Sequence, residues 1–393
     1  MLPKYYEFKN SVKIISGKNA LENIPFELSN LSANRPLILT TKSVIKNGQL
    51  KIITNAMDNA NIEVGTIFKD IPQDSSVEIV NSISKLYREE KCDSIVAIGG
   101  GSVIDTAKAV NMLVSTNVSD LKEYMGLEIL GGKLNPFIVV PSTAGTGSEA
   151  TLVSVIADTS RNVKMEFISY SILPDVAVLD QRMTETLPPK LTASTGIDAL
   201  THSIEAFSGF QKNPLSDIYA LTSIELISNY LIKAVTNGKD GEARLAMANA
   251  SLMAGVAFSN SMVGIVHAIG HACGGVSHVP HAEAMTILLP HCMKLNLNLC
   301  EEEYARILLA FSGAEVYSKT PKGERGQRCI DEIQKFITKL NEICGLPTKL
   351  RDVGVKREEL QDIARTAIND GAAMVNPVEV TFDKVMKILE AAY

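Results

Sequence analysis

Histidine is concentrated in one part of the sequence, and its spacing suggests metal chemistry. All six histidines lie within a single stretch of the C-terminal half. Asp198 and His202 are separated by one helical turn, as are His267 and His271, so each pair is expected on one helix face. The second pair lies in the apolar run GIVHAIGHACGG, where a buried imidazole needs a partner. His281 follows in the loop-like segment SHVPH.

This group of side chains suits a divalent transition metal, Fe²⁺ or Zn²⁺. One aspartate and three histidines offer carboxylate oxygen and imidazole nitrogen, which both ions accept. A single buried histidine more often serves only the core, but two i, i+4 pairs with another histidine nearby favour a metal site. His278 and His291 are expected to be a surface loop residue and a residue at the start of a helix after Pro290.

Two loops rich in small residues predict a nucleotide site. The apolar run DSIVAI leads directly into Gly99, Gly100, Gly101 and Ser102, and a helical pattern follows. Backbone N–H groups at such a helix start bind phosphate, and glycine lets a pyrophosphate approach closely. The run differs from G-x-G-x-x-G, and its acidic residue, Asp105, falls inside the helix. We include Asp105 among the candidate cofactor-binding residues.

The second loop is PSTAGTGSE, residues 141–149, which follows the strand-like run PFIVV. Its hydroxyl groups, with Thr143 and Thr146 as the candidates, can hydrogen-bond a nucleotide while leaving it room. Two such loops at the carboxyl ends of neighbouring strands point to one crevice, where ligands bind in open α/β sheets.

The pattern of strands and helices predicts two domains. Strands are expected at 36–40, 61–68, 93–98, 136–140, 152–157, 164–168 and 176–179, with helices at 47–60, 76–91 and 103–114. Strands that are apolar through most of their length favour a parallel sheet covered on both faces. Helical periodicity then runs from residue 190 to the C-terminus, so the boundary is placed at the Pro188-Pro189 pair. Residues 1–187 are predicted to form a dinucleotide-binding α/β domain, and residues 188–393 an all-helical metal and catalytic domain.

The bulk composition argues against other classes of protein. The chain has 393 residues, with 44 acidic and 38 basic side chains and no basic stripe, which argues against nucleic acid as a partner. No apolar stretch approaches the length of a membrane span, and the N-terminus does not read as a secretory signal. The six scattered cysteines form no C-x-x-C pair. We therefore expect a cytoplasmic protein with reduced thiols and no membrane partner.

Taken together, these motifs resemble a known family. GGGSxxDxAK (99–108), PSTAGTGSE (141–149), GxDALTHxxE (196–205) and HAxGH followed by PHxxA (267–284) are similar to motifs of the iron-containing, group III alcohol dehydrogenases. The resemblance covers essentially the whole chain. It implies a Rossmann-like α/β domain followed by an all-helical domain, as in the dehydroquinate synthase-like architecture. It also implies a homodimer or a larger homo-oligomer.

The resemblance assigns roles to individual residues. It implies that Asp198, His202, His267 and His281 bind the metal, and that His271 is a catalytic non-ligand near substrate and nicotinamide. The implied cofactor contacts are Gly100, Gly101, Ser102, Thr143, Thr146, Lys164 at the ribose, and Leu179.

One of the departures from the family pattern bears on the choice of cofactor. NAD-preferring members usually carry an aspartate after the first strand, where it accepts from the ribose 2′-OH. Thr41 occupies that position here, which predicts that NADP is used as well as NAD.

The implied activity is reversible hydride transfer between a small primary alcohol or diol and nicotinamide. A divalent cation makes the alcohol oxygen easier to deprotonate, and His271 can relay the proton. A metal hydrolase would not need the glycine-rich loops, and a non-catalytic dinucleotide-binding protein would not need four metal ligands. A related polyol (glycerol-type) or dehydroquinate-type enzyme is the closest alternative, and the pairing of His267 with His271 favours the alcohol dehydrogenase.

Overall fold

The computed structural model describes residues 3–73, 75–116, 118, 120–161 and 163–393. The chain forms two compact units. Residues Lys9–Thr186 form an α/β unit, whereas Leu187–Tyr393 form a helical unit that also includes the N-terminal segment up to Phe8. The sequence pattern assigned that segment to the first domain. It belongs to the helical unit, where the Phe8 ring stacks on Tyr219 with the ring centroids 5.9 Å apart.

The α/β unit consists of short strands and helices. Its strands are Lys13–Ser16 (β1), Pro36–Leu39 (β2), Thr66–Phe68 (β3), Ser94–Gly99 (β4), Gly126–Leu127 (β5), Phe137–Pro141 (β6), Val153–Asp158 (β7), Val163–Ile168 (β8) and Val176–Leu179 (β9). Its helices are Ile24–Asn30 (α1), Lys42–Lys46 (α2), Gln49–Asn59 (α3), Val77–Glu89 (α4) and Gly101–Ser115 (α5).

Six of these strands form a parallel sheet in the order β1-β9-β6-β4-β2-β3. Successive side chains of a strand point to opposite faces of the sheet. Leu37 and Ile95, which are register partners on β2 and β4, therefore pack into one core with residues of α4 and α5. The next pair, Ile38 and Val96, packs into a second core with residues of α1 and α3. The predicted sheet covered on both faces is confirmed.

Two predictions within this unit were wrong. β7 and β8 pair antiparallel and form a separate sheet with β5, because the short connection between them leaves no room for the crossover that a parallel pair requires. The strand predicted from residue 61 begins only at Thr66. The amides of Asn61 and Ile62 bond back to carbonyls of α3 at 3.1 and 3.0 Å, so this segment terminates the helix.

The helical unit is built around one buried helix. Its helices are Pro189–Ser208 (α6), Pro214–Thr236 (α7), Gly241–Ser259 (α8), Ile265–Ser277 (α9), His281–Lys319 (α10), Arg325–Cys344 (α11), Leu360–Ala367 (α12) and Phe382–Ala392 (α13). α6 is buried at every residue from Thr192 to Ser208, and α7, α8 and α10 pack around it. A Cβ at Gly196 would lie 2.3 Å from Leu231 Cδ1, so glycine permits the close approach of α7. Among the residues described, no helix combines the length and apolar character needed to cross a membrane.

Candidate active site

Three helices of the helical unit bring the predicted metal ligands into one region. α6 contributes Asp198 and His202 from adjacent turns, and α9 contributes His267 and His271 in the same relation. His281 is the first residue of α10. The burial of α6 on all sides makes its aspartate and histidine interior groups, at 1% and 5% exposure.

The connection between α9 and α10 differs in part from the prediction. His278 is exposed, as expected, and its φ of 55° places it in the left-handed conformation that ends α9. His281 lies on a helix and not in a loop, and His291 lies inside α10 and not at a helix start. The helix continues through Pro290 because residues on both sides of it are buried, and this packing outweighs one missing hydrogen bond.

Asp198, His267 and His281 form a compact group of potential metal ligands. One ligand atom from each lies within 4.8 Å of the others. Asp198 Oδ1 is 3.4 Å from His281 Nε2 and 4.0 Å from His267 Nε2. The side chains of Asp198 and His267 are buried, whereas that of His281 is 41% exposed. The group is therefore enclosed on the protein side and accessible beside His281.

The donor atoms of this group fit a divalent cation. Asp198 Oδ1 and His267 Nε2 are buried and have no hydrogen-bond partner among the described residues, which is costly unless something binds them. Burial keeps the pKa of His267 well below its usual value, so the ring is neutral, as a ligand must be. Burial alone would raise the pKa of Asp198, but the imidazoles of His202 and His281 hold it well below its ordinary range.

His202 lies beside this group without being part of it. Its ring stacks on Phe258 and on His267, with centroid separations of 4.4 and 4.5 Å. Burial lowers its pKa to about 3, and its Nδ1 is buried with no partner among the described residues. The structure thus brings three of the four predicted ligands together, and a ligand role for His202 stays a prediction.

Glu205, the last residue of the GxDALTHxxE motif, contacts His267, and the sequence pattern assigned it no role. Its Oε2 lies 2.5 Å from His267 Nδ1, and its Oε1 accepts from the amide of Val266 at 2.7 Å. Burial raises the pKa of Glu205 to about 7. In the tautomer with Nδ1–H donating to the ionised carboxylate, the lone pair of His267 is on Nε2, which faces Asp198. The available signal was spacing, because Glu205 follows His202 by three residues on the same helix.

His271 has a different environment from His267. Its side chain is 39% exposed, and its Nδ1 lies 2.9 Å from Asp370 Oδ2. Its ring stacks on that of His281 with the centroids 5.5 Å apart. Burial would raise the pKa of Asp370, but the hydrogen bond with His271 brings it below its ordinary value. An ionised Asp370 accepts from Nδ1–H of His271, and in this tautomer the lone pair of the ring is on Nε2.

The glycine-rich loops of the α/β unit meet at one edge of the parallel sheet. Gly99 ends β4 and Gly100 is the N-cap of α5, while the second loop follows β6, the strand paired with β4. An added Cβ at Gly100 would lie 3.2 Å from Thr143 Oγ1, and one at Gly101 would lie 3.0 Å from Thr146 Cγ2. The two loops are therefore in contact beside the helix N-terminus that begins with Gly101 and Ser102.

Asp105 supports these loops from within the protein. Its Oδ1 accepts from Ser148 Oγ at 2.7 Å, and its Oδ2 accepts from the amide of Val155 at 3.2 Å. Lys108, which is completely buried, donates to the backbone oxygens of Thr151 and Val153 at 2.7 and 2.8 Å. Each carboxylate oxygen of Asp105 thus has a partner within the protein, and a direct cofactor contact at Asp105 stays a prediction.

The remaining cofactor candidates lie in three different places. Thr41 caps α2 at the end of β2, which neighbours β4 on the side opposite to β6. Lys164 is exposed on β8, in the smaller sheet. Leu179 is completely buried at the end of β9, so its side chain presents no surface to a cofactor, contrary to the expectation.

Comparison with known proteins identifies the family. The family model described as "Iron-containing alcohol dehydrogenase" matches residues 11–181. The model described as "Fe-containing alcohol dehydrogenase family, C-terminal" matches residues 192–393. The chain is 36% identical over 388 residues to an NADPH-dependent butanol dehydrogenase of Clostridium saccharobutylicum, covering 97% of this chain and 96% of that protein. It is 33% identical over 378 residues to an NAD-dependent methanol dehydrogenase of Bacillus methanolicus, covering 96% and 97%.

Solved structures agree with this assignment. The fold matches the crystal structure of a 1,3-propanediol oxidoreductase with a TM-score of 0.94 at 33% identity, covering 99% of this chain and 100% of that one. The chain therefore belongs to the iron-containing alcohol dehydrogenases, which are NAD(P)-dependent oxidoreductases acting on CH–OH groups.

Proposed function

We propose that the protein interconverts small primary alcohols or diols and their aldehydes, with a divalent cation held by Asp198, His202, His267 and His281. The observation that supports this most directly is the convergence of Asp198, His267 and His281 within 4.8 Å. The substrate range follows the relatives, which include a methanol, a butanol and a 1,3-propanediol dehydrogenase. A cation bound there supplies Lewis-acid polarisation of the substrate oxygen, and a bound nicotinamide supplies the hydride acceptor or donor. Fe²⁺ is the metal that the family name indicates, and Zn²⁺ suits the same donor set.

The protein side chains set the protonation states that this chemistry needs. Glu205 holds the proton of His267 on Nδ1, so that Nε2 is available as a ligand. Asp370 holds the proton of His271 on Nδ1, so that Nε2 can take up the alcohol proton during oxidation and return it during reduction. The partial exposure of His271 allows that proton to pass to solvent. We assign His271 the catalytic acid–base role.

The cofactor is proposed to bind at the sheet edge formed by the two glycine-rich loops, with Gly99, Gly100, Gly101 and Ser102 at the phosphates. Thr143 and Thr146 offer hydroxyls beside that helix start. The ribose contact of Lys164 stays a prediction. The homo-oligomeric state and cytoplasmic location expected from the sequence also stay predictions.

Use of NADP as well as NAD is supported by the surroundings of Thr41. Its hydroxyl is 2.8 Å from Ser43 Oγ, and no carboxylate stands at this position. Asp70, which forms a β-bridge with Thr41, is ion-paired to Lys42 at 2.7 Å. Because that negative charge is neutralised locally, a 2′-phosphate meets little repulsion there.

The test is a cofactor-linked rate screen. Purified protein loaded with Fe²⁺ or Zn²⁺ is mixed with NAD(H) or NADP(H) and a panel of alcohols, diols and aldehydes, and reduced nicotinamide is followed. Small primary alcohols or diols should be turned over, and Asp198→Ala should lose both bound metal and rate. An inactive wild type across the whole panel, or an Asp198→Ala protein with full metal content and normal rate, would refute the proposal.

A further inference from the structure

Helix α9 begins without a capping side chain of its own. The residue before it is Gly264, which offers no side-chain acceptor. The first N–H groups of a helix have no intrahelical partner, so a buried helix start needs acceptors from elsewhere. The amide of Ile265 donates to Asn376 Oδ1 at 3.3 Å, and the amide of Val266 donates to Glu205 Oε1 at 2.7 Å. Two residues that are distant in the sequence therefore cap this helix.

Both acceptors approach the backbone at the position of Gly264. A Cβ added there would lie 3.0 Å from Asn376 Oδ1 and 3.1 Å from Glu205 Oε1. These separations are tighter than ordinary van der Waals contacts of a Cβ atom. Glycine thus gives the two distant acceptors room at the start of the helix.

Asn376 is held in a single orientation. Its Nδ2 donates to Asn296 Oδ1 at 2.9 Å and to the Val378 carbonyl at 2.7 Å, while its Oδ1 accepts from Asn296 Nδ2 at 2.9 Å. With the bond from Ile265, two donated and two accepted hydrogen bonds occupy the amide fully. The Val378 carbonyl requires a donor, and the backbone N–H of Ile265 requires an acceptor. These two partners determine which end of the Asn376 side chain is the nitrogen and which is the oxygen. Both asparagines are buried, so these bonds are shielded from water.

We propose that Glu205 and Asn376 are positioning residues that orient His267 toward the metal. Glu205 holds α9 twice, because Oε1 binds the backbone at Val266 and Oε2 binds Nδ1 of His267 at 2.5 Å. Asn376 binds the same helix end at the amide of Ile265, one residue before Val266. Together they restrict both the position of the helix start and the rotation of the ring, with Nε2 directed to Asp198. This inference rests on the proposed metal site.

The test measures Co²⁺ binding to the full-length metal-free protein by calorimetry and by visible d–d absorption. For Glu205→Ala we expect Co²⁺ affinity to fall by about 10–100-fold, with a changed spectrum, as is typical when the partner behind a metal-binding histidine is lost. Glu205→Gln keeps an acceptor for the ring N–H and should regain part of that affinity. Asn376→Ala should weaken binding by about fivefold, the factor that corresponds to one lost helix cap.

Asn213→Ala is the matched control. Asn213 is also a buried asparagine that caps a helix of the same unit, since it accepts from the Ser216 amide at 3.0 Å and donates to the Asn260 carbonyl at 2.8 Å. The helix that it caps is α7, which contributes none of the proposed ligands. This variant should lower the melting temperature while Co²⁺ affinity and spectrum stay as in the wild type.

The possible outcomes separate this inference from the metal site itself. Wild-type affinity and spectrum in the Glu205 and Asn376 variants would overturn the positioning role, and so would an equal loss of affinity in Asn213→Ala. If Glu205→Ala does not fold, Glu205→Gln and Asn376→Ala decide the question. A wild type that binds no Co²⁺, or keeps it after Asp198→Ala, refutes the proposed site and the inference with it.

Discussion

We predict that the buried carboxyl group of Glu149 makes the stability of the α/β unit depend on pH. The residue is 1% exposed, and its Oε1 has no hydrogen-bond partner among the described residues. Burial raises its pKa from 4.5 to about 7, against the opposing effects of its own backbone amide and the charge of Lys108. The carboxyl group is therefore more easily protonated in the folded than in the unfolded chain.

The size of the effect follows from that difference. A rise from 4.5 to about 7 spans about 2.5 pH units, so at about 1.4 kcal/mol per unit the ionised side chain costs the folded state roughly 3 kcal/mol. Because the folded pKa is the higher one, the cost is absent below about pH 4.5, grows between the two values and is complete above about pH 7. Glu149→Gln removes this titration, so its stability relative to the wild type should increase with pH.

Calorimetric melting at several values between pH 5 and pH 8 measures this trend. Part of the cost is already present at pH 5, so about 2.5 kcal/mol of it develops between pH 5 and pH 8. For a unit of this size, about 1 kcal/mol shifts the melting temperature by roughly 2–4 °C, so the difference between Glu149→Gln and wild type should grow by roughly 5–10 °C across the range. The change with pH is the decisive quantity, because it is independent of any constant cost of placing an amide there.

Asp158→Asn is the control, because it also replaces a buried carboxyl group by an amide. Hydrogen bonds from Ser160 and Arg161 hold the pKa of the buried Asp158 well below its ordinary value of 3.8. Its stabilising contribution is present above that value and is lost only in more acidic solution. The variant should therefore show a constant deficit from pH 5 to pH 8. If the melting temperatures of Glu149→Gln and wild type differ by a constant amount from pH 5 to pH 8, ionisation of Glu149 does not destabilise the folded protein.

Three further predictions concern the catalytic machinery. His267→Ala should lose both bound metal and turnover, and full metal content by elemental analysis with a normal rate would contradict the site. His271→Ala should keep metal and dinucleotide but lose ~10²–10⁴-fold in rate, as is typical when an acid–base group is removed. A histidine that only packs in the core would instead lower the melting temperature and leave the rate at low temperature unchanged. Thr41→Asp should shift kcat/KM toward NADH because a carboxylate repels the 2′-phosphate, and a wild type that already strongly prefers NADH would contradict this reading.

The parallel sheet could be predicted because its strands carry a local signal. The run DSIVAI is apolar and ends in glycines, and the structure places β4 at Ser94–Gly99 with every residue buried. The antiparallel pairing of β7 with β8 could not be read in the same way. A strand pattern specifies which residues are buried but not the direction of the neighbouring strand. Burial alternates along β7 in the structure, but its buried positions are Ser154, Ile156 and Asp158, so no apolar alternation in the sequence marked this strand as antiparallel.

The histidine pairs could also be predicted, because i, i+4 spacing places side chains on one helix face whatever surrounds the helix. The partners that orient them are distant in the sequence. Glu205 lies 62 residues from His267, Asp370 lies 99 residues from His271, and Asn376 lies 111 residues from Ile265. No periodicity within one helix connects such positions, so the sequence could not pair them, although Glu205 already stood three residues after His202.

The glycine-rich motif shows a different limit of sequence reasoning. Its residues lie together but differ in their contacts. Gly100 and Gly101 lie against Thr143 and Thr146 of the second loop. Asp105 and Lys108 instead form hydrogen bonds with Ser148 and Thr151. A motif records which residues are needed around a site and does not state which side chains face the ligand. The position of a residue on the helix determines which way its side chain faces. Asp105 and Lys108 are three residues apart, so they share the face of α5 that is turned toward Ser148. In this chain Asp105 and Lys108 therefore support the loop from α5, whereas a cofactor contact of Asp105 stays a prediction.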